Sequence, residues 1–167
     1  MINKKSPNPR RLARRLALQA LYQWQLTDTP PLEIEAQFIE NTVLDKTDTP
    51  YFIELLRNVS KHVEELDAHI KPVLDRPIGD LNHIELAVLR IGLYEIVYRL
   101  DVPYRVVIDE ALRLAKTFGT VEGFKYVNAV LDRVARKLRQ VETAGERTRP
   151  KTIITIKKAG KRNSPDD

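Results

Sequence analysis

The sequence predicts an all-α fold of about seven helices, arranged in two small bundles around a buried central helix. Apolar residues recur at three- and four-residue steps through most of the chain, which is the spacing of an amphipathic helix. The body of the chain has no alternation of apolar and polar residues long enough to seed a sheet. Residues 83–98 are apolar on nearly every side of a helix, so this stretch is expected at the centre.

The central stretch is interrupted by only three charged residues, Glu85, Arg90 and Glu95. A helix that is apolar almost all round is either a core helix or a membrane span. Three charges, and a length below that of a full span, argue against the membrane. We therefore interpret this stretch as the buried helix around which the others pack.

The first helix is expected to run from about residue 10 to residue 26. Asn8 stands before Pro9, and a capping side chain followed by proline is a common helix start. One face of this helix is apolar and consists of Ala13, Leu16, Ala17, Ala20, Leu21 and Trp24. The opposite face carries basic, polar and aromatic side chains, called the outer row below, namely Arg11, Arg15, Gln19 and Tyr22.

Prolines and glycines divide the rest of the chain into further helices. These are expected at about 32–44, from 50 to past 66, in a short piece between Pro72 and Pro77, and at 83–98, 104–118 and 122–139. The resulting domain prediction is a basic leader at 1–9, a helical domain at 10–140, and a basic tail at 141–167 that is expected to be disordered.

Composition excludes several classes of site. The chain of 167 residues has no cysteine, which excludes disulfides and thiolate metal sites. The histidines His62, His69 and His83 are not at metal-binding spacing, so no metal is expected. The sequence shows neither a transmembrane pattern nor a secretory signal pattern, and a cytoplasmic protein is expected.

The net charge of +5 is unevenly distributed. Residues 1–16 carry +6 with no acidic residue, residues 144–167 carry +4, and the body between them carries −5. A mildly acidic body with basic ends is suited to a polyanionic partner.

The outer row has the chemistry of a binding site for single-stranded nucleic acid. Guanidinium groups pair with phosphates, a tyrosine ring stacks on an unpaired base, and a glutamine can hydrogen-bond to a base edge. A solvated helix face would look similar, and basic amphipathic helices also bind membranes and calmodulin-like partners. These alternatives stay open from the residues alone.

Support for catalysis is thin. Glu85, Glu95 and Asp109-Glu110 are the only inward or clustered carboxylates, and none has a histidine or cysteine at a useful spacing. The chain contains no P-loop and no GxGxxG motif. An enzyme is therefore not expected, and no cofactor is expected either.

Five segments resemble the NusB family of transcription antitermination factors, in the family's order along the chain. They are ALQALYQWQ at 17–25, AVLRIGLYE at 87–95, DVPYRVVIDEA at 101–111, KTFG at 116–119 and KYVNAVLD at 125–132. The resemblance covers roughly residues 10–139. It implies an all-helical domain of two small bundles that binds RNA and a protein.

In this family the RNA is boxA, a single-stranded element of ribosomal RNA leaders. The protein partner is NusE, a small-subunit ribosomal protein, and the pair helps to load an antitermination complex on RNA polymerase. Carried over by position, the RNA-binding residues implied are Arg10, Arg11, Arg14, Arg15, Gln19, Tyr22, Glu85, Glu122, Lys125 and Tyr126. Some family members self-associate, so a homodimer stays open.

Two other functions remain as alternatives. NusB-like domains also occur fused to RNA cytosine methyltransferases, but this chain has no Gly-rich strand–loop–helix segment for the cofactor of such an enzyme. A pure protein-interaction module would bind the partner without any contribution from RNA.

Overall fold

The structure is a computed structural model that describes residues 8–147. Within this range the chain forms eight α-helices and two short 3₁₀ turns, and it has no β-strand. The helices are α1 (Pro9–Thr27), α2 (Pro31–Asn41), α3 (Thr49–Lys61), α4 (Val63–Ile70), α5 (His83–Tyr98), α6 (Tyr104–Phe118), α7 (Val121–Leu138) and α8 (Gln140–Arg147), and the 3₁₀ turns are Lys71–Val73 and Ile78–Asp80. None of the described helices is long and apolar enough to cross a membrane.

Short polar side chains start the helices that position the site. Asn8 accepts hydrogen bonds from the backbone N–H groups of Arg10 and Arg11, and Pro9 occupies the first turn of α1. Asn82 caps α5 in the same way, and Thr120 accepts from the Gly123 N–H at the start of α7. Each cap satisfies donors that the first helical turn leaves without an intrahelical partner.

The prediction of a buried central helix is confirmed. Every residue of α5 from Leu86 to Ile96 is buried. Helices α1, α3, α4, α6 and α7 all contact it. Gly92 lets α7 approach closely, because a Cβ atom at this position would lie 3.0 Å from the Leu131 Cδ1 atom. Helices α1–α3 form one bundle and α5–α7 the other, with α5 contacting both.

Two helices differ from the sequence prediction, and the short helical piece expected between Pro72 and Pro77 is not formed, because residues 74–77 are an irregular link between the two 3₁₀ turns. The helix expected from 50 to past 66 is divided at His62, whose φ of −104° and ψ of 22° interrupt the helix. The apolar stripe continues in α4, where buried Leu66 and Ile70 belong to the same core. The second difference is α8, which extends helical structure beyond the predicted domain end at residue 140. The rest of the predicted leader and tail, 1–7 and 148–167, lies outside the described residues.

Helix α8 is held by a buried arginine just before it. The Arg139 guanidinium donates to the carbonyl oxygens of Glu95, Ile96 and Arg99, which end α5. It also donates to Glu142 of α8, and Glu142 accepts from the backbone N–H of Tyr104 at the start of α6. These bonds join the end of α5 to the start of α6. They could not be predicted from the pattern of apolar residues in the sequence.

Replacing Glu142 with glutamine is expected to lower the free energy of unfolding by about 1 kcal/mol at pH 7, because a partly exposed charged hydrogen bond is weakened. This corresponds to a fall in Tm of about 3 °C. Burial alone would raise the pKa of Glu142, but the bonds from Arg139 and the Tyr104 N–H outweigh it and lower the pKa. The contribution is therefore present above the ordinary pKa of 4.5 and is lost as the pH falls through the folded value. Thermal melts from pH 7 to pH 3 should show the difference shrinking, and a constant difference would contradict this account.

Candidate nucleic-acid interface

The outer row of α1 lies on the surface. Arg15 and Gln19 are exposed, and Tyr22 is 37% exposed. The opposite face of α1 is buried at Ala17 and Leu21, and Trp24 packs partly buried against the core. Because the apolar face is docked, the side chains of the outer row are held outward in a line along the helix.

Arg11 and Arg10 extend this line at the start of α1. The Arg11 side chain is 39% exposed and donates two hydrogen bonds to Glu110 of α6, from Nε at 3.0 Å and from Nη2 at 2.8 Å. These bonds raise the pKa of Arg11, which is therefore charged at every physiological pH. The Arg10 guanidinium lies 4.2 Å from the centroid of the Tyr51 ring, a cation–π contact.

Arg14 is not on the surface, in contrast to the other arginines of α1. Its side chain is 5% exposed, and its Nη2 atom lies 2.8 Å from Oε2 of Glu95, itself 1% exposed. The Tyr51 hydroxyl donates to the same carboxylate, and burial followed by the charge of Glu95 raises the pKa of Tyr51, which keeps it protonated. The position that the resemblance implied for Arg14 at an RNA contact is therefore occupied by an internal ion pair, which fixes α1 against α3 and α5.

The outer row ends beside the start of α5. The Tyr22 ring contacts the His83 ring edge to face, with centroids 6.4 Å apart. Gln25 donates to the His83 carbonyl oxygen at 2.9 Å, which ties the end of α1 to this turn. Two residues further, the Glu85 carboxylate lies against Gly123 in the first turn of α7, where a Cβ atom would collide with it. Gly123 therefore makes room for Glu85 at the start of α7.

A shallow groove of about 330 Å³ lies where α5 and α7 begin. It contains the other four residues that the resemblance implied, together with two that the sequence did not indicate; the six are Arg76, Glu85, Glu122, Lys125, Tyr126 and Ala129. The Arg76 guanidinium lies 4.5 Å from the centroid of the Tyr126 ring. Asp75 holds both, because it accepts from Arg76 and from the Tyr126 hydroxyl, and these bonds, that of Arg76 above all, lower the pKa of Asp75.

The structure thus brings together residues from three helices and one turn. The outer row supplies guanidinium, amide and phenol groups, and the groove adds carboxylates, an ammonium group and a second tyrosine. Arg15 also contacts α6, since its guanidinium carbon lies 5.9 Å from the centroid of the Phe118 ring at the end of that helix. Exposed guanidinium groups bind phosphates, tyrosine rings stack on bases, and carboxylates accept hydrogen bonds from the amino groups of bases. In the part of the chain that the structure describes, no cluster of three or more histidine or acidic residues could hold a metal ion.

Arg76 was missed because it lies in an irregular turn after the 3₁₀ segment, where no helical period assigns a side chain to a face. Its only signal in the sequence is a basic residue before Pro77. Only the packing of this turn against α7 places the guanidinium over Tyr126.

Comparison with known proteins identifies the family. The sequence model of the NusB family matches residues 11–136. The chain belongs to the NusB family. The matched range contains the whole outer row and the groove at the start of α5 and α7.

Curated NusB proteins and solved NusB structures are similar to this chain over most of its length. The transcription antitermination protein NusB of Alcanivorax borkumensis is 50% identical over 149 residues, which cover 89% of this chain and 99% of that protein. The NusB protein of Legionella pneumophila strain Corby is 48% identical, covering 86% of this chain and 97% of that one. The structure of T. maritima NusB superimposes with a TM-score of 0.70 at 27% identity, covering 84% of this chain and 99% of that one.

A second solved structure similar to this chain contains a partner protein and RNA in addition to NusB. It is a crystal structure of the antitermination factors NusB and NusE in complex with double-stranded RNA. Its TM-score is 0.69 at 26% identity, and the match covers 76% of this chain and 96% of that one.

Proposed function

We propose that this NusB family member is an RNA-binding transcription antitermination factor. It binds boxA RNA together with NusE, and the pair helps to assemble an antitermination complex on RNA polymerase in the cytoplasm. Family membership and the similarity to a NusB that was crystallised with NusE and RNA support the proposal. The observation that carries it is the outer row, in which Arg15, Gln19 and Tyr22 stand exposed on a docked helix.

Binding proceeds through contacts of two kinds. Arg10, Arg11 and Arg15 pair with backbone phosphates and set the position of the strand along α1. Tyr22 stacks on an unpaired base and Gln19 hydrogen-bonds to a base edge.

The groove receives the strand beyond Tyr22. There Glu85 and Glu122 accept hydrogen bonds from base amino groups, while Lys125 pairs with a phosphate. The Tyr126 ring, covered by Arg76, forms the wall of the groove. Arg14 contributes indirectly, because its buried pair with Glu95 holds α1 in place.

The proposed activity is binding alone, without catalysis. The carboxylates of the site, Glu85 and Glu122, lie in an open groove without a histidine or a metal cluster among the described residues. Their role is to accept hydrogen bonds.

A salt-dependent titration of a short boxA RNA, with and without NusE, tests the proposal. We expect affinity to fall linearly with the logarithm of salt concentration, and NusE to increase RNA affinity. By thermodynamic linkage the RNA must increase NusE affinity by the same factor. NusE binding that is unaffected by RNA, with no RNA binding by this chain, would instead indicate a protein-interaction module.

Replacing Arg15 with alanine is expected to weaken boxA binding and to reduce the salt slope by about 0.7, because one phosphate contact with a single strand is lost. Fluorescence titrations over a range of salt concentrations measure both quantities. Lys61→Ala is the control, since Lys61 is an exposed cation at the end of α3, a helix that contributes no residue to the proposed interface. Equal slopes for the two variants would remove Arg15 from the interface.

A further inference from the structure

Three arginines from two helices converge on the buried carboxylate of Glu110. The Glu110 side chain is 9% exposed, and its Oε2 atom lies 2.8 Å from Nη2 of Arg11. The same Oε2 atom lies 3.8 Å from Nε of Arg113, one turn further along α6. Its Oε1 atom lies 3.8 Å from Nη1 of Arg14. Glu110 thus gathers cations of α1 and α6 at one place.

The charge of this cluster is not balanced. Its cations are the three arginines, and its anions are Glu110 and Glu95, the latter paired with Arg14. Counted over these ion pairs alone, one positive charge is left over. It cannot lie at Arg14, which is buried, and so it lies at the two guanidinium groups that face solvent. The side chain of Arg113 is 59% exposed and that of Arg11 is 39% exposed.

Geometry leaves Arg113 available to a ligand. Its separation from Glu110 is beyond hydrogen-bond distance, so this contact is a loose ion pair. Arg11, in contrast, uses two of its donors on Glu110 and is fixed in orientation. The guanidinium of Arg11 is held in place, and the longer-range pairing of Arg113 leaves its guanidinium able to turn toward a ligand. Two such neighbouring groups, called the clamp below, can bind one anion that has several oxygen atoms.

The position of the clamp relates it to the outer row. Arg11 is one helical turn before Arg15, and Arg15 contacts Phe118 at the end of α6. Helix α6 therefore accompanies α1 from the Arg11–Glu110 pair to the Arg15–Phe118 contact. The exposed side of α6 at Arg113 is a continuation of the surface formed by the outer row.

We propose that Arg11 and Arg113 together bind a backbone phosphate of the RNA, so that the interface continues from α1 onto α6. Glu110 is the positioning residue, because it offsets the repulsion between the arginines and fixes Arg11. This inference rests on the proposed function. It assigns to α6 a contact with RNA that the sequence resemblance did not imply.

Arg113→Ala and Arg113→Lys test the proposal with a single-stranded RNA that carries boxA and flanking nucleotides on both sides. Loss of one phosphate contact should reduce the salt slope of Arg113→Ala by about 0.7 and lower its affinity about five-fold at 0.1 M salt. Arg113→Lys keeps the charge and should keep the slope. Lys61→Ala serves as the control on α3, and Tm of all three variants should match the parent because exposed charged side chains contribute little.

Three other results are possible, and each would show that a different part of the proposal is wrong. If Arg113→Ala has the slope of Lys61→Ala while Arg15→Ala still loses slope, the α6 contact is overturned and the proposed function stands. If the parent protein binds no RNA, the proposed function fails and takes this inference with it. If Arg113→Ala weakens NusE binding measured without RNA and leaves the RNA slope unchanged, the clamp contacts a protein and the phosphate assignment is wrong.

Discussion

Replacing Arg14 with methionine is expected to lower the free energy of unfolding by about 3–5 kcal/mol, the cost of removing one partner of a buried ion pair. Methionine retains much of the side-chain volume but leaves Glu95 without a counter-ion at 1% exposure. Burial alone would lower the pKa of Arg14, and the hydrogen bonds and charge of Glu95 outweigh it and raise the pKa. Arg14 therefore stays charged, and its removal leaves the buried Glu95 carboxylate without its ion-pair partner.

Chemical denaturation measures this effect, with Arg136→Met as the control. Arg136 pairs with Asp132 on the surface of α7, where both side chains are about half exposed. The control should lie within about 0.5 kcal/mol of the parent. A double variant, Arg14→Met with Glu95→Leu, should recover part of the loss because no uncompensated charge remains.

The same variant separates the two roles of Arg14. If Arg14 only holds α1 in place, the Arg14→Met protein that remains folded should keep the salt slope of RNA binding. If Arg14→Met lowers the free energy of unfolding by less than about 1 kcal/mol and also reduces the salt slope of RNA binding, Arg14 contacts the RNA directly.

Replacing Tyr22 with alanine is expected to weaken boxA RNA binding by about 1–3 kcal/mol, since stacking of a base on an aromatic ring has this magnitude. That range corresponds to roughly 5-fold to 150-fold in Kd. Tyr22 is 37% exposed and rests against His83, so its ring has a held orientation and a free surface. Tyr22→Phe keeps the ring and should retain most of the affinity.

Tyr98→Ala is a matched control for this measurement. Tyr98 is 40% exposed, a similar value, but it lies at the other end of α5. The length of the helix places it about 22 Å from His83. Fluorescence titration should find the RNA affinity of this control unchanged. Equal losses for Tyr22→Ala and Tyr98→Ala would show that neither ring stacks on the RNA.

The helices and the outer row could be predicted from the sequence because both follow from the helical period. Residues four apart face the same side, and this places Arg11, Arg15 and Gln19 together without knowledge of the fold. The same period places Arg14, seven residues before Leu21, on the buried face, so its burial could have been predicted. Its ion-pair partner could not be predicted in this way. Its partner Glu95 is 81 positions away.

The groove and the Glu110 cluster depend on contacts between distant segments. Glu85 and Tyr126 line one groove because α7 begins against the start of α5, where Gly123 leaves room for the Glu85 carboxylate. Glu110 meets Arg11 across 99 positions of the chain. Neither pairing has a periodicity, and charge patterns within one helix do not reveal which other helix will lie beside it.

The sequence alone determined that the chain is helical, that residues 83–98 are its buried centre, and that one face of the first helix is basic and aromatic. These properties are local, because they depend on the spacing of side chains a few residues apart. Tertiary structure alone decided which carboxylates pair with the arginines of α1. Glu95 and Glu110 come from other helices, and no spacing within α1 indicates which helices will pack beside it.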